Sequence, residues 1–309
     1  MRYSICMTIG GEDVSDMTLH DELLRAEGLM LQEQDERARE LLLVLAEDAE
    51  EYVDRNCPTT DELQWFSFPT IFERLCYRRV ENDPRELRDV GEPLDRLYAD
   101  LALADVRMGE YDHAMESLKQ AIRWNPMGCG YRLDLADLML ISGNVREALA
   151  LAFSVFERAS DARHLARAYV LFANWFAQAG NPRASAAALH VARRLDVLDG
   201  PLAAALDQAA GTERDPDLLT DEQAAEALEA EGLPDGANAE VAVCLLMCAC
   251  DAAQAGERGL ATELTIRARD LVGEPAAMAL LELIRESDSE PATSGPEDAC
   301  AEGGHTNGG

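Results

Sequence analysis

The stretch that most constrains this chain is Leu97 to Pro126, LYADLALADVRMGEYDHAMESLKQAIRWNP. Apolar residues recur at three- and four-residue intervals on both sides of Met108-Gly109-Glu110, the pattern of two helices that each bury one stripe. The glycine permits a sharp turn between antiparallel helices, and Asn125-Pro126 stops the second helix because proline has no amide hydrogen to donate. The plan then returns. Gly143 follows Gly109 by 34 residues, with Leu135, Ala136 and Ala148 in matching places. Gly180 follows Gly143 by 37, with Tyr169, Phe172, Ala173, Phe176 and Leu189, and Pro182 opens the helix beyond that turn. A hairpin of this length carries apolar residues on two faces, and only stacking on neighbours takes the second face out of water. The repeat therefore predicts an all-α chain of stacked helical hairpins, with Ala114, Ala121 and Ala148 where helices come closest.

Tyr98, Leu101, Ala102, Gly109, Tyr111, Ala114, Leu118, Ala121 and Pro126 together resemble the spaced pattern of the tetratricopeptide repeat. Arg123-Trp-Asn-Pro126, Leu165-Ala-Arg-Ala-Tyr169 and Gly232-Leu-Pro-Asp-Gly236 extend the likeness to an uncharacterised group of bacterial tetratricopeptide proteins, over about Trp65 to Val272. The resemblance implies a right-handed α-α superhelix, a concave groove lined by the first helix of each pair, and the binding of proteins or peptides without enzymatic activity. Carried over where the motif aligns, the groove residues are Arg96, Val106 and Arg107, then Leu133, Asp137 and Ile141, then Arg167, Val170, Asn174 and Gln178. Arg167 and Asn174, seven apart and so on one face, are placed to hold a peptide carboxylate and backbone. Leu103 departs from the family's carboxylate clamp, which has an asparagine there.

Residues 1–18 hold Gly10-Gly11 and no sustained period, so a flexible arm is expected. The helical array is expected over 19–286, with its clearest repeats at 95–128, 129–162, 166–199 and 242–275. Before the first of these, a degenerate hairpin turns at Gln32 to Asp35 without glycine. Residues 58–93 break the rhythm, with Trp65, Phe66, Phe68 and Phe72 inside eight positions. They read as a capping helix over the neighbouring repeat, with a hydrophobic docking patch as the second reading. Thr220 to Gln223 has capping-box spacing. From Ser287 the chain is serine, proline, glycine and acids without lysine or arginine, too polar to offset its chain entropy, and is expected to be a disordered acidic tail over 287–309.

Charge limits the partners. With 27 Lys+Arg against 59 Asp+Glu, the net charge is −32, so nucleic acid would be repelled and basic proteins attracted. The longest apolar run, Val241 to Cys250, is about half the roughly 20 residues that span a bilayer. The opening MRYSICMTIGGED has no secretory character. A cytoplasmic protein with reduced thiols, no membrane contact and a protein or peptide partner is expected.

The sequence shows no glycine-rich phosphate loop, zinc-binding His-Glu-x-x-His helix or serine nucleophile elbow. The five histidines are far apart, and Asp134 and Asp137, which share a helical face, read as solvated carboxylates. Cys244 and Cys248 also share a face, with Cys250 turned away. Three ligands on one helix do not surround a metal, so core packing is expected and neither metal nor cofactor. A non-enzymatic adaptor leads, followed by an acidic binder or inhibitor of basic proteins acting as holdase or nucleic-acid mimic, and then by a thiol-dependent sensor.

Overall fold

The computed structural model describes residues 18–289, so the first 17 residues of the expected arm and positions 290–309 of the expected tail lie outside the described residues. Thr18 belongs to the fold. It forms a capping box with Asp21 at the start of the first helix, each satisfying an orphan donor of the other. At the far end the last helix continues through Ser289, a few residues past the expected boundary.

Helices pair as the periodicity predicts. α1 (Leu19–Leu31) packs on α2 (Asp35–Asn56), α4 (Leu94–Met108) on α5 (Tyr111–Trp124), α6 (Cys129–Ile141) on α7 (Val145–Arg158), and α8 (Ala162–Gln178) on α9 (Pro182–Arg194). Each hairpin also meets the next, through α2 with α4, α5 with α6 and α7 with α8. Ala114, Ala121 and Ala148 are fully buried at these contacts. The turns share one closure. Gly109, Gly143 and Gly180 have φ of 78°, 80° and 76°. The amides just past them, of Glu110, Asn144 and Asn181, donate to the carbonyls of Asp105, Met139 and Phe176 at 2.9, 2.8 and 2.9 Å. This satisfies carbonyls that the helix end would orphan. In the α1–α2 turn Glu33 takes the glycine's place at φ 59°, with Gln34 donating to Leu29 at 3.0 Å.

The segment between α2 and α4 amends the all-helical expectation. Instead of a lone capping helix it holds β1 (Leu63–Phe66), α3 (Ile71–Glu81) and β2 (Glu86–Asp89), with the strands pairing in parallel and Leu63 opposite Glu86. Parallel strands cannot be joined by a tight hairpin, and α3 is the crossover. The aromatics point inward. Phe66, Phe68 and Phe72 are buried, and the Phe66 ring lies 4.9 Å from Phe68 and 4.8 Å from Tyr77. One side of this unit is tied to the hairpins. The Ser67 amide donates to Trp124 at 2.9 Å, and buried Asp95 accepts from Ser67, Asn125 and Tyr131 at 3.3, 3.1 and 3.2 Å.

The other side meets the end of the chain. After α9 come α10 (Gly200–Ala209), a 3₁₀ turn at Pro216–Leu218 and α11 (Asp221–Ala230), all of which pack on α9, with α10 also on α8. The last hairpin, α12 (Ala239–Gln254) and α13 (Arg258–Val272), then folds back so that α12 lies on α3, and α14 (Glu274–Ser289) covers both its helices. Arg79 pairs with Glu240, Arg158 of α7 pairs with Glu81, and the Arg267 guanidinium sits 5.1 Å from the centre of the Phe72 ring. One continuous apolar cluster thus runs from Phe66 through Tyr169 to Leu271. No helix among the described residues is long and apolar enough to cross a membrane.

Glu33 occupies a backbone region that costs a side-chain-bearing residue about 1 kcal/mol or more. Glu33→Gly is expected to stabilise the fold by roughly 0.5–1 kcal/mol and Gly143→Ala to destabilise it by a similar amount. Urea unfolding midpoints at constant m-value would check both signs.

Candidate functional site

Two helical stripes face each other across a depression of about 260 Å³. On α8, Arg167, the adjacent pair Val170 and Leu171, Asn174 and Gln178 recur every three or four residues, which keeps them on one side of the helix. On α6, Leu133, Asp137 and Leu140 do the same. Val145 at the start of α7, Trp175, and Pro201 from α10 complete the lining. Six of the ten groove residues expected from sequence therefore converge here: Leu133, Asp137, Arg167, Val170, Asn174 and Gln178. Leu133 and Val170 are buried as floor, while Asn174 and Gln178 are exposed and, among the described residues, have no hydrogen-bonding partner for their amides. Ile141 is 68% exposed and lies just outside the lining.

Arg167 is the electrostatic centre of the depression. Its Nη2 donates to Asp134 Oδ1 at 2.8 Å and Asp137 Oδ2 at 2.7 Å. Burial opposes the guanidinium charge, but the two carboxylates more than offset it and hold the pKa above its ordinary value. Arg167, expected to hold a peptide carboxylate, is thus already engaged by two carboxylates of its own chain. Asp134, read from sequence as a solvated carboxylate, belongs to this group. Leu171 and Trp175 could have been found from the stripe containing Arg167, whereas Pro201 reaches the lining only through tertiary packing.

The three residues expected from the first repeat lie elsewhere. Arg96 pairs with Glu27 of α1, its Nη1 facing His20 Nδ1 at 3.2 Å. Arg107 donates to the Met30 carbonyl at 2.7 Å and to Asp35 at 3.1 Å. Val106 is half-buried against a small apolar cluster that includes Ala102 and Leu118. The arginines hold α1 and α2 onto α4, and none of the three lines the depression.

A neighbouring carboxyl is left short. Asp100 Oδ2 is buried with no hydrogen-bonding partner, and its nearest cation, Arg96 Nε, is 3.8 Å away and donates to Glu27 at 2.9 Å. Burial first, then the Glu27 charge, pushes Asp100 up to about 7, with Arg96 opposing.

Two of the other hollows among the described residues are larger. One of about 790 Å³ lies between the end of α9, residues 235–237 and the α13–α14 junction, where Arg269 bonds Asp270 at 2.6 Å and Arg194 faces Asp221 at 3.5 Å. The other, about 420 Å³ and lined by Phe153, Phe156, Leu233 and Pro234, is largely apolar. Neither collects residues expected from the repeats.

Cys244 and Cys248 approach each other as their spacing implies, and Cys76 of α3 joins them. The Cys248 contact favours the Cys244 thiolate, but Cys76 and burial outweigh it and push the thiol up to about 12. The bond to Cys244 and burial raise Cys248 as well. Protonated, buried thiols are poor nucleophiles and poor ligands. No group of three or more histidine, cysteine or acidic residues among the described residues is arranged to hold a metal ion. Cys76 lies on a different element, and nothing in the sequence pairs it with α12.

This geometry defines a predominantly helical chain of packed hairpins with a concave, mixed polar and apolar depression between α6 and α8. Compared with protein-family models and with curated proteins, it finds no match among either.

The Asp100 carboxyl yields a pH-dependent outcome. An unfolded aspartate titrates near about 3.9, so the fold favours its protonated form. That contribution is complete below about pH 4 and is lost as pH rises towards about 7. Asp100→Asn is expected to match the parent near pH 4 and to exceed its stability at pH 8 by roughly 1–2 kcal/mol, after discounting for partial solvent access. Chemical denaturation at both pH values measures the difference. An equal midpoint at pH 8 would show that the carboxylate is solvated.

Proposed function

We propose that the chain is a non-enzymatic scaffold or adaptor, a right-handed superhelix of tetratricopeptide-type hairpins that holds a peptide or protein segment in the depression between α6 and α8. The observation that carries this reading is the convergence of two helical stripes on one concave surface with an apolar floor and exposed, unpartnered amides at Asn174 and Gln178. Apolar floor and polar rim are what a segment-binding site needs: burial supplies affinity, and the amides can meet backbone groups that would otherwise lose their water. A cytoplasmic location is part of this proposal, and the six free cysteines among the described residues are compatible with a reducing compartment.

Selection of a random dodecamer display library on the full chain tests the reading. Enriched peptides are expected to bind the parent and to lose at least about tenfold in affinity to Asn174→Arg/Gln178→Arg, a change confined to exposed positions. Circular dichroism and an unchanged unfolding midpoint would show that the variant is folded. Failure to enrich any peptide, or peptides indifferent to the double variant, would remove the depression as the binding site.

A further inference from the structure

We infer that the segment held between α6 and α8 carries a basic side chain, arginine or lysine, beside an apolar one, and that Asp134 and Asp137 select the base. The inference rests on the binding role proposed for the depression and adds the chemistry of what it takes.

Asp137 and Arg167 line the depression, and Asp134, outside the lining, bonds the same guanidinium, so this group of two carboxylates and one guanidinium carries one net negative charge. The guanidinium is the more enclosed member: the Arg167 side chain is 31% exposed, against 53% for Asp134 and 54% for Asp137. A single nitrogen, Nη2, serves both carboxylates. The second oxygens, Asp134 Oδ2 and Asp137 Oδ1, receive no hydrogen bond from the described residues and remain as acceptors facing water. An incoming ammonium or guanidinium would complete them with charge-assisted bonds. An incoming carboxylate would sit beside two existing anions and compete with them for one arginine, in a chain whose net charge is already −32.

The floor supplies the rest of the preference. Leu133, Val170, Leu171 and Trp175 line the same depression as Asp137 and Arg167. Its volume of about 260 Å³ suits one or two side chains of a partner, not a whole domain. An aliphatic side chain can fill the floor while its basic neighbour reaches the aspartates, and the stem of a lysine or arginine can itself lie along apolar surface with the charged end in water. Phosphate-bearing partners are disfavoured by the same repulsion that disfavours carboxylates.

Two dodecamer display libraries, each with leucine fixed at position 6 and with either arginine or glutamate fixed at position 7, are panned on the full chain at low ionic strength. The arginine library is expected to be recovered at least about tenfold over the glutamate library. That ratio is expected to collapse or invert on Asp134→Asn/Asp137→Asn, which frees Arg167. It should persist in Asp112→Asn/Glu282→Gln, which removes the same two charges from exposed positions on α5 and α14. Preference for the glutamate library, or equal recovery, overturns the charge assignment and leaves the binding site standing if Asn174→Arg/Gln178→Arg still abolishes recovery. An equal fall in the ratio for both charge-removing variants overturns selection by Asp134 and Asp137 and assigns the preference to bulk charge. If the parent retains neither library above the Asn174→Arg/Gln178→Arg variant, the binding site and its specificity fall together.

Discussion

Everything in this fold follows from the second apolar face of a helical hairpin. One face is covered when the two helices pack on each other, and the other stays wet until a neighbour covers it. From α4 to α9 the neighbours are successive hairpins. Ahead of α4 the cover is α1–α2, pinned by buried Asp105 accepting from Arg39 at 2.5 Å and by Arg96 and Arg107 reaching back across the same seam. Arginine suits this seam because its planar fork can serve a carboxylate and a backbone carbonyl together, as Arg107 does. The flank is closed by the β1–α3–β2 unit, whose aromatic side chains are shared between the α5–α6 junction and the last hairpin. Because α3 touches α12, residues far apart in sequence are locked into one core, and the last hairpin does not simply follow α9 in line.

What could be read from sequence was whatever a local period encodes. The turn glycines Gly109, Gly143 and Gly180 and the capping box at Thr220 each declare a boundary within a few residues, and the helices begin and end beside them. The turn at Gln32 to Asp35 was also legible, as a hairpin without a glycine, but not that Glu33 takes the left-handed position there. The β1–β2 pair was not, since four-residue strands leave too short a pattern and their pairing depends on contacts with Trp124 and Asp95. The folding back of α12 was equally hidden. The alanine- and cysteine-rich Val241 to Cys250 run announces burial but not its partner.

The candidate site shows the same division more sharply. Helical spacing places side chains on a common stripe, so Arg167, Val170, Asn174 and Gln178 could be grouped before any fold was known. Spacing says nothing of what stands opposite. Arg96 and Arg107 occupy comparable places on α4, yet α1 and α2 lie against them and consume their donors, while the corresponding side of α8 remains open. Arg167 shows a further limit. From sequence it is a free cation suited to an anion, and only the approach of α6 shows that Asp134 and Asp137 already neutralise it.

That neutralisation changes what the depression can discriminate. A lone half-buried arginine would favour almost any anion, and in a chain with 59 acidic residues it would first find its own. Held by two aspartates, it works in the opposite sense, as a brace that keeps two carboxylates side by side and half exposed when their mutual repulsion would otherwise separate them. The brace also protects against indiscriminate binding. The acceptors it leaves open are few and fixed to one helix, α6, so under the proposed binding role a base must arrive with its neighbour aligned to the apolar floor, whereas the diffuse acidity of the rest of the surface imposes no such geometry. Under the proposed binding role, bulk charge would set how quickly basic partners arrive and the depression which of them stay, two contributions that differ in their dependence on salt because only the first acts over distances comparable to the screening length.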